Sequence, residues 1–445
     1  MGEAERLALL GGPPGMAADD RPQWPCPTPG AVDLVARSLE GEAFYYGPSS
    51  TARRLEDEFA AYHGRAHAQA TDSGTTALLL AFFATGLGGG IWALDPHAPS
   101  PEVLVAGYGF FATASPLLHI GATPVFCDVD PVTGNLDVTD AARRLTDRTR
   151  GLVVTHLAGH PADMDAVVAF CQRHGLVLVE DCSHAHGARY RSHVVGTFSA
   201  AAAFSCQSGK MLSAGEGGLL LTDDPDVLTR AAALANIRRL EGSGLDCPPD
   251  LQLTGFGLKH RMSPLSAAYA LHHLRHLDEL CEARRSSLDH IGQRLGEATC
   301  GRAVAPPTAS HVSRGAFYEY PIRVEVHRRD GVSMELLVKA LRAENVPIAH
   351  SNTQAIHRLP VFGLGLEGVV ARSWGRDAGR VAHERLPVAE QLEEETMFLA
   401  PFTGTPIAVL DRCLRAIGKV FGQLDVLGGV SSADTVDNQP VHREG

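Results

Sequence analysis

The chain has 445 residues, 44% hydrophobic and 20% charged, with 39 Lys and Arg against 51 Asp and Glu, a net charge of −12. A core of this size divides into two or three units, and the acidic balance argues against a nucleic-acid partner, which needs positive surface to displace counterions from phosphates. No stretch approaches the ~18 apolar residues of a membrane span, no basic-then-apolar leader opens the chain, and nine cysteines without a C-x-x-C pair point to reduced thiols, no metal site and a soluble cytoplasmic protein.

Residues 1–30 are rich in Gly, Pro and acidic side chains and read as an arm laid over a surface. Leu55, Phe59 and Tyr62 recur at helical spacing, which predicts a helix over 51–62. The segment from Ala68 to Thr76 leads into an apolar helix, 77–84, and the glycines and prolines of 86–101 make a surface loop. Short apolar runs then alternate with helical ones. Strands are expected at 103–106, 124–128, 151–155, 176–179, 202–205 and 218–222, and helices at 112–120, 139–145, 163–173 and 226–237. That alternation predicts an α/β fold with a doubly covered, mostly parallel sheet. A long helical segment, 263–295, precedes a smaller α/β layer of strand 316–326, helix 333–343, strand 346–348 and helix 405–424. The expected units are an arm (1–30), a large cofactor-binding domain (31–262), a long helix with a small C-terminal domain (263–428) and a disordered tail (429–445).

Two side chains in this frame carry chemistry. Lys210 ends the small-residue run Ser205-Cys206-Gln207-Ser208-Gly209-Lys210, just before Gly215-Glu216-Gly217-Gly218. Asp181 stands where the apolar run 176–179 empties into Glu180-Asp181-Cys182-Ser183-His184. Pyridoxal phosphate chemistry needs such a pair: a lysine to form a Schiff base with the cofactor aldehyde, and a carboxylate to keep the pyridine nitrogen protonated. Alone, either is ordinary, a solvated surface charge or a turn former. Ser73-Gly74-Thr75 opens a helix, and a helix N-terminus seats a phosphate; a plain N-cap is the alternative. His184 faces the same region or is a hydrogen-bonded core histidine. Phe110 is placed to stack on a pyridine ring, although its spacing does not separate it from Phe111 or from core packing.

These segments together resemble the DegT/DnrJ/EryC1/StrS family of sugar and cyclitol aminotransferases, over residues 43–427. The shared motifs are residues 73–78, 121–130, 180–187, 204–210, 215–218 and 260–263. The resemblance implies aspartate-aminotransferase fold type I: a large, mostly parallel seven-stranded-type sheet domain and a smaller C-terminal α/β domain. It implies that Lys210 forms the internal aldimine and shuttles the substrate proton, that Asp181 pairs with the pyridine nitrogen, and that His184 lies beside the cofactor. Phe110 would stack on the ring, and Ser73, Gly74, Thr75, Ser205 and Gln207 would complete the cofactor site. Lys259 stands where the family places a partner-subunit phosphate ligand, usually Asn, so a homodimer with shared active sites is expected. The implied reaction moves an amino group from glutamate, glutamine or alanine to a ketosugar or ketocyclitol in secondary-metabolite (antibiotic) biosynthesis. Dehydratases of the family carry histidine at the lysine position, so Lys210 favours transamination. Gln207 and the Gly-Glu-Gly-Gly run resemble the branch acting on ketocyclitols and aminohydroxybenzoate. The alternatives are an aminohydroxybenzoate-synthase-like dehydratase, or a non-catalytic, pyridoxal-phosphate-binding regulatory protein.

Overall fold

The computed structural model describes residues 5–240, 254–349, 353–373 and 384–429, apart from positions 27, 94, 96, 316, 326–328 and 330. The expected tail, beyond Gly429, lies outside the described residues.

Seven strands form the main sheet: β1 (His67–Thr71), β2 (Glu102–Ala106), β3 (Thr123–Cys127), β4 (Thr149–Thr155), β5 (Val177–Asp181), β6 (Ala201–Ser205) and β7 (Gly218–Thr222). Their order is β1-β7-β6-β5-β4-β2-β3, and only β7 runs against its neighbours. Both faces are buried. Val103, Val105, Val153, Val179, Ala203 and Leu220 pack into one apolar cluster, while Leu104, Leu152, Val154 and Leu178 pack into another on the opposite face. This period of two along near-continuous apolar runs is what a covered parallel sheet requires. The helix Gly74–Ala84 (α1) is apolar all round and lies over β6, whose Ala201 and Ala203 face it and let it come close.

A second, antiparallel sheet joins β8 (Ala303–Val304), β9 (Tyr320–Val324), β10 (Ile348–Ala349) and β11 (Thr396–Leu399) in the order β8-β9-β11-β10. Leu337, Leu341, Ile417 and Val420 from its helices share one core with Leu7, Leu9 and Met16 of the N-terminal arm. The segment expected as one helix is two, Pro264–Arg275 (α2) and Leu277–Ala298 (α3), broken at His276, whose φ of −114° and ψ of 12° leave the helical region. No glycine or proline marks that break. The expected helix 112–120 is a 3-10 turn, Phe111–Thr113, followed by a short helix, Ser115–His119. Strands β1 and β11 and the helices Pro360–Ser373 and Pro387–Glu395 were not expected from the sequence. No helix among the described residues is long and apolar enough to cross a membrane.

Candidate active site

Because β4, β5 and β6 are parallel, their C-terminal ends share one edge: Thr155 pairs with Asp181, Asp181 with Ala203, and Ser205 closes β6. The reversed strand β7 brings Gly218 to the same edge, opposite Ser205 and Thr71. Ligands of open α/β sheets bind outside such strand ends. A cavity of about 450 Å³ opens there, and every candidate residue except Lys259 lines it.

Lys210 is buried at 7% exposure. Its Nζ lies 3.1 Å from the centre of the Tyr318 ring. Burial drives its pKa down to about 7, against the pull of the carboxylates of Glu319 and Asp181, which raise it. An amine titrating there is both acid and base near neutral pH.

Asp181 is 3% exposed, and both of its oxygens are engaged. Oδ2 accepts from Thr113 Oγ1 at 2.6 Å and Oδ1 from the Ser183 amide at 3.1 Å. The neighbouring Glu180 points to the other side of the strand, where it accepts from the amides of Gly196 and Phe198, from Ser199 Oγ and from His156 Nε2. Burial alone would raise the Glu180 pKa, but the bonds from His156, Ser199 and Gly196 outweigh it and hold the carboxyl below its ordinary value. That network fixes the strand end, and with it the direction of Asp181.

His184 is neutral, since burial, with Lys210 and His186 nearby, pushes its pKa well down. Its ring lies 4.7 Å from that of Tyr318, and its Nδ1 has no hydrogen-bond partner among the described residues. Phe110 lines the cavity and Phe111 does not. The two rings pack 4.4 Å apart.

Ser73 is the N-cap of α1, its Oγ accepting from the Thr76 amide at 3.1 Å, so the capping alternative holds for its side chain. The amides of Gly74 and Thr75 sit in the helix's first turn, where no intrahelical acceptor exists. Gly74 packs on Ser205 so closely that a Cβ there would fall 2.6 Å from Ser205 Cβ. Gly74, Thr75 and Ser205 therefore border the same part of the cavity. Gln207 Oε1 accepts from the Gly209 amide at 2.8 Å, and its Nε2 donates to Ser208 Oγ at 2.8 Å, shaping the turn that carries Lys210. Lys259 is exposed and stands outside its own chain's cavity, next to His260, whose Nδ1 lies 2.9 Å from Asp72 Oδ2.

The sequence reading missed Thr113, Tyr318, Glu319 and Trp24, all of which line the cavity. Thr113 follows Phe110 in the same short segment, where a helix over 112–120 was expected. Tyr318 and Glu319 arrive from the second sheet and carry no local signal.

The sequence profile of the DegT/DnrJ/EryC1/StrS aminotransferase family matches residues 29–400. The chain belongs to this family. Among similar proteins is L-glutamine:2-deoxy-scyllo-inosose aminotransferase of Streptomyces paromomycinus, 36% identical over 88% of this chain and 91% of that one. L-glutamine:scyllo-inosose aminotransferase of Streptomyces griseus is 36% identical over 76% of this chain and 78% of its own length. Among solved structures, an aminotransferase from Psychrobacter cryohalolentis superposes with a TM-score of 0.75 at 28% identity, covering 91% of this chain and 99% of that one. A 3-amino-5-hydroxybenzoic acid synthase gives a TM-score of 0.73 at 26% identity, covering 90% and 98%. The type I fold expected from the resemblance is the fold observed, and this family member is an aminotransferase.

Proposed function

We propose that this aminotransferase uses pyridoxal 5′-phosphate to move the amino group of L-glutamine to the keto group of a scyllo-inosose-type cyclitol. The observation carrying the proposal is the convergence of Lys210 and Asp181 in one cavity with the α1 N-terminus. The residues suit the cofactor. Gly74, Thr75 and Ser205 offer donors to a phosphate, Asp181 offers an anchored carboxylate to a ring nitrogen, and Phe110 and His184 offer flat faces to a ring. When bound, the cofactor supplies the electron sink for a substrate carbanion.

The chain's own groups do the rest. Lys210, partly neutral at pH 7, takes the proton from the donor's Cα and returns it to the acceptor carbon. Thr113 and the Ser183 amide hold the Asp181 carboxylate in place. Neutral His184 lines the cavity without adding charge. The names of the similar proteins support glutamine as donor and an inosose as acceptor. The synthase reading has weaker support, a fold likeness at 26% identity against 36% for the glutamine-dependent enzymes. We also propose a homodimer in which Lys259 serves the neighbouring site, and a reducing cytoplasmic setting, supported by eight thiols without disulfides among the described residues.

The test is an absorbance spectrum with pyridoxal phosphate, before and after L-glutamine, L-glutamate or L-alanine, and then a ketocyclitol. The visible band should form, fade with glutamine above the other donors, and return with the acceptor. A band insensitive to glutamine would refute the donor, and no band at all would refute the cofactor.

A further inference from the structure

The N-terminal arm does not simply cover a surface. Leu7 and Met16 are each 1% exposed and Leu9 2%, inside the core of the second sheet. Glu344 receives the amides of Ala8 and Gly15, both at 2.8 Å, and Lys419 Nζ at 3.0 Å. Arg21 donates to Asn345 Oδ1 at 3.0 Å, and Arg412 Nε to Asp20 Oδ2 at 2.8 Å. The arm is therefore fastened to the C-terminal layer as far as Arg21. Three residues later, Trp24 reaches the catalytic loop, where its Nε1 donates to the backbone carbonyl of Lys210 at 3.1 Å. Trp24 and Pro25 both line the cavity.

We propose that Trp24 is a positioning residue for Lys210, and that the arm carrying it forms a wall of the catalytic cavity. The proposal rests on the role given to Lys210 above. A lysine that moves protons between defined atoms must have its backbone fixed, because its four-carbon stem magnifies any rotation at Cα. Here the peptide groups on both sides of that Cα are held. The Lys210 amide donates to Gln207 O at 2.8 Å, and its carbonyl receives the Trp24 indole.

The indole is itself held. Its ring lies 4.7 Å from the Arg284 guanidinium carbon and meets the His273 ring edgewise at 5.6 Å. Arg284 is fully buried in α3 and donates from Nε to Thr403 Oγ1 at 2.8 Å, just beyond β11. The chain of contacts thus runs from the C-terminal layer through Arg284 and Trp24 to the carbonyl of Lys210. The position asks for a flat ring with a donor and no acceptor at its far end, which is the indole. Phenylalanine would keep the packing on Arg284 and the cavity wall while removing the donor.

The experiment compares wild type with Trp24→Phe in two forms. In the protein without cofactor, the rate of reductive methylation of Lys210 is followed against pH by peptide mass spectrometry. In the loaded enzyme, kcat and KM are measured for L-glutamine and for the ketocyclitol acceptor, with Trp24→Ala alongside. If Trp24 positions Lys210, losing the donor loosens the loop, admits water and moves the methylation midpoint upward from the wild-type value. kcat should fall about three- to tenfold, the weight of one neutral hydrogen bond, with KM unchanged. Trp24→Ala, which also removes the wall, should raise KM for the acceptor. An unmoved methylation midpoint in Trp24→Phe, with kcat unchanged, would overturn the proposal even if the melting temperature fell. Should wild type take up no cofactor, the proposed pyridoxal phosphate chemistry fails instead, and the methylation profile still decides the role of Trp24.

Discussion

Thr113 Oγ1 donates to Asp181 Oδ2 at 2.6 Å inside the buried edge of the main sheet, so a side chain from a 3-10 turn sets the orientation of the carboxylate at the end of β5. A hydrogen bond to a charged group contributes more than a neutral one. Thr113→Val keeps the shape and removes the donor. It should weaken cofactor binding and lower kcat/KM by about tenfold or more, with the fold intact by circular dichroism. Asp181→Asn should cost more than Thr113→Val, and both should cost more than His184→Asn. Equal small losses in all three would mean that this strand end does not hold the ring nitrogen.

Lys210 gives a pH signature. Its pKa is lowered by burial from 10.5 to about 7, so the neutral amine needed for proton abstraction grows as pH rises through that value. The donor half-reaction should accelerate across this window and level off above it, and Lys210→Ala should abolish it.

The same shift links to stability. Between about pH 7 and 10.5 the unfolded chain binds a proton at Lys210 that the folded chain has lost, so stability rises with pH across that interval. Without cofactor, urea unfolding of wild type and Lys210→Met should show this: the advantage of the variant should shrink as pH rises toward 10.5. A constant difference between them would show that the amine is not buried in solution.

Asp181 and Lys210 were legible because each is announced locally, one by an apolar run ending in acids and the other by a run of small residues. Strand β1 was not, because Gln69 interrupts its apolar pattern while being fully buried, and its ladder partner β7 lies far along the chain. Thr113 was hidden by the expectation of a helix over 112–120, where the chain makes a 3-10 turn that aims the hydroxyl at Asp181. Tyr318 and Trp24 reach the cavity only through the packing of the second sheet and the arm, and no window of neighbouring residues encodes that. The arm's Gly and Pro content suggested surface, whereas its few apolar residues, Leu7, Leu9 and Met16, decide where it goes.

If the start of α1 seats the cofactor phosphate, Gly74 tells that seat from a plain helix cap. A methyl group there would meet Ser205 Cβ at 2.6 Å and Cα at 2.8 Å, and neither can move without shifting β6. Gly74→Ala should therefore raise the dissociation constant for pyridoxal phosphate more than Ser205→Ala does, since it displaces the helix start as well as the hydroxyl. Isothermal titration of the cofactor checks the order. A Gly74→Ala protein that binds the cofactor like wild type would place the phosphate elsewhere.

Lys259 is the candidate that its own cavity does not contain, and its exposure is what a residue serving a neighbouring subunit would show in a single chain. If it does so, Lys259→Ala should raise the cofactor dissociation constant by about tenfold, the weight of one charge-assisted hydrogen bond. The decisive measurement mixes two defective proteins. In a heterodimer of Lys259→Ala and Lys210→Ala, one site combines an intact Lys210 with the intact Lys259 of its neighbour, while the other site carries both lesions. Unfolding and refolding the two proteins together should regenerate one working site per mixed dimer, with wild-type cofactor affinity at that site. Each variant refolded alone should stay impaired. If mixing restores nothing although sedimentation shows that dimers form, Lys259 acts within its own chain or not at all. An active monomer would remove the shared site altogether.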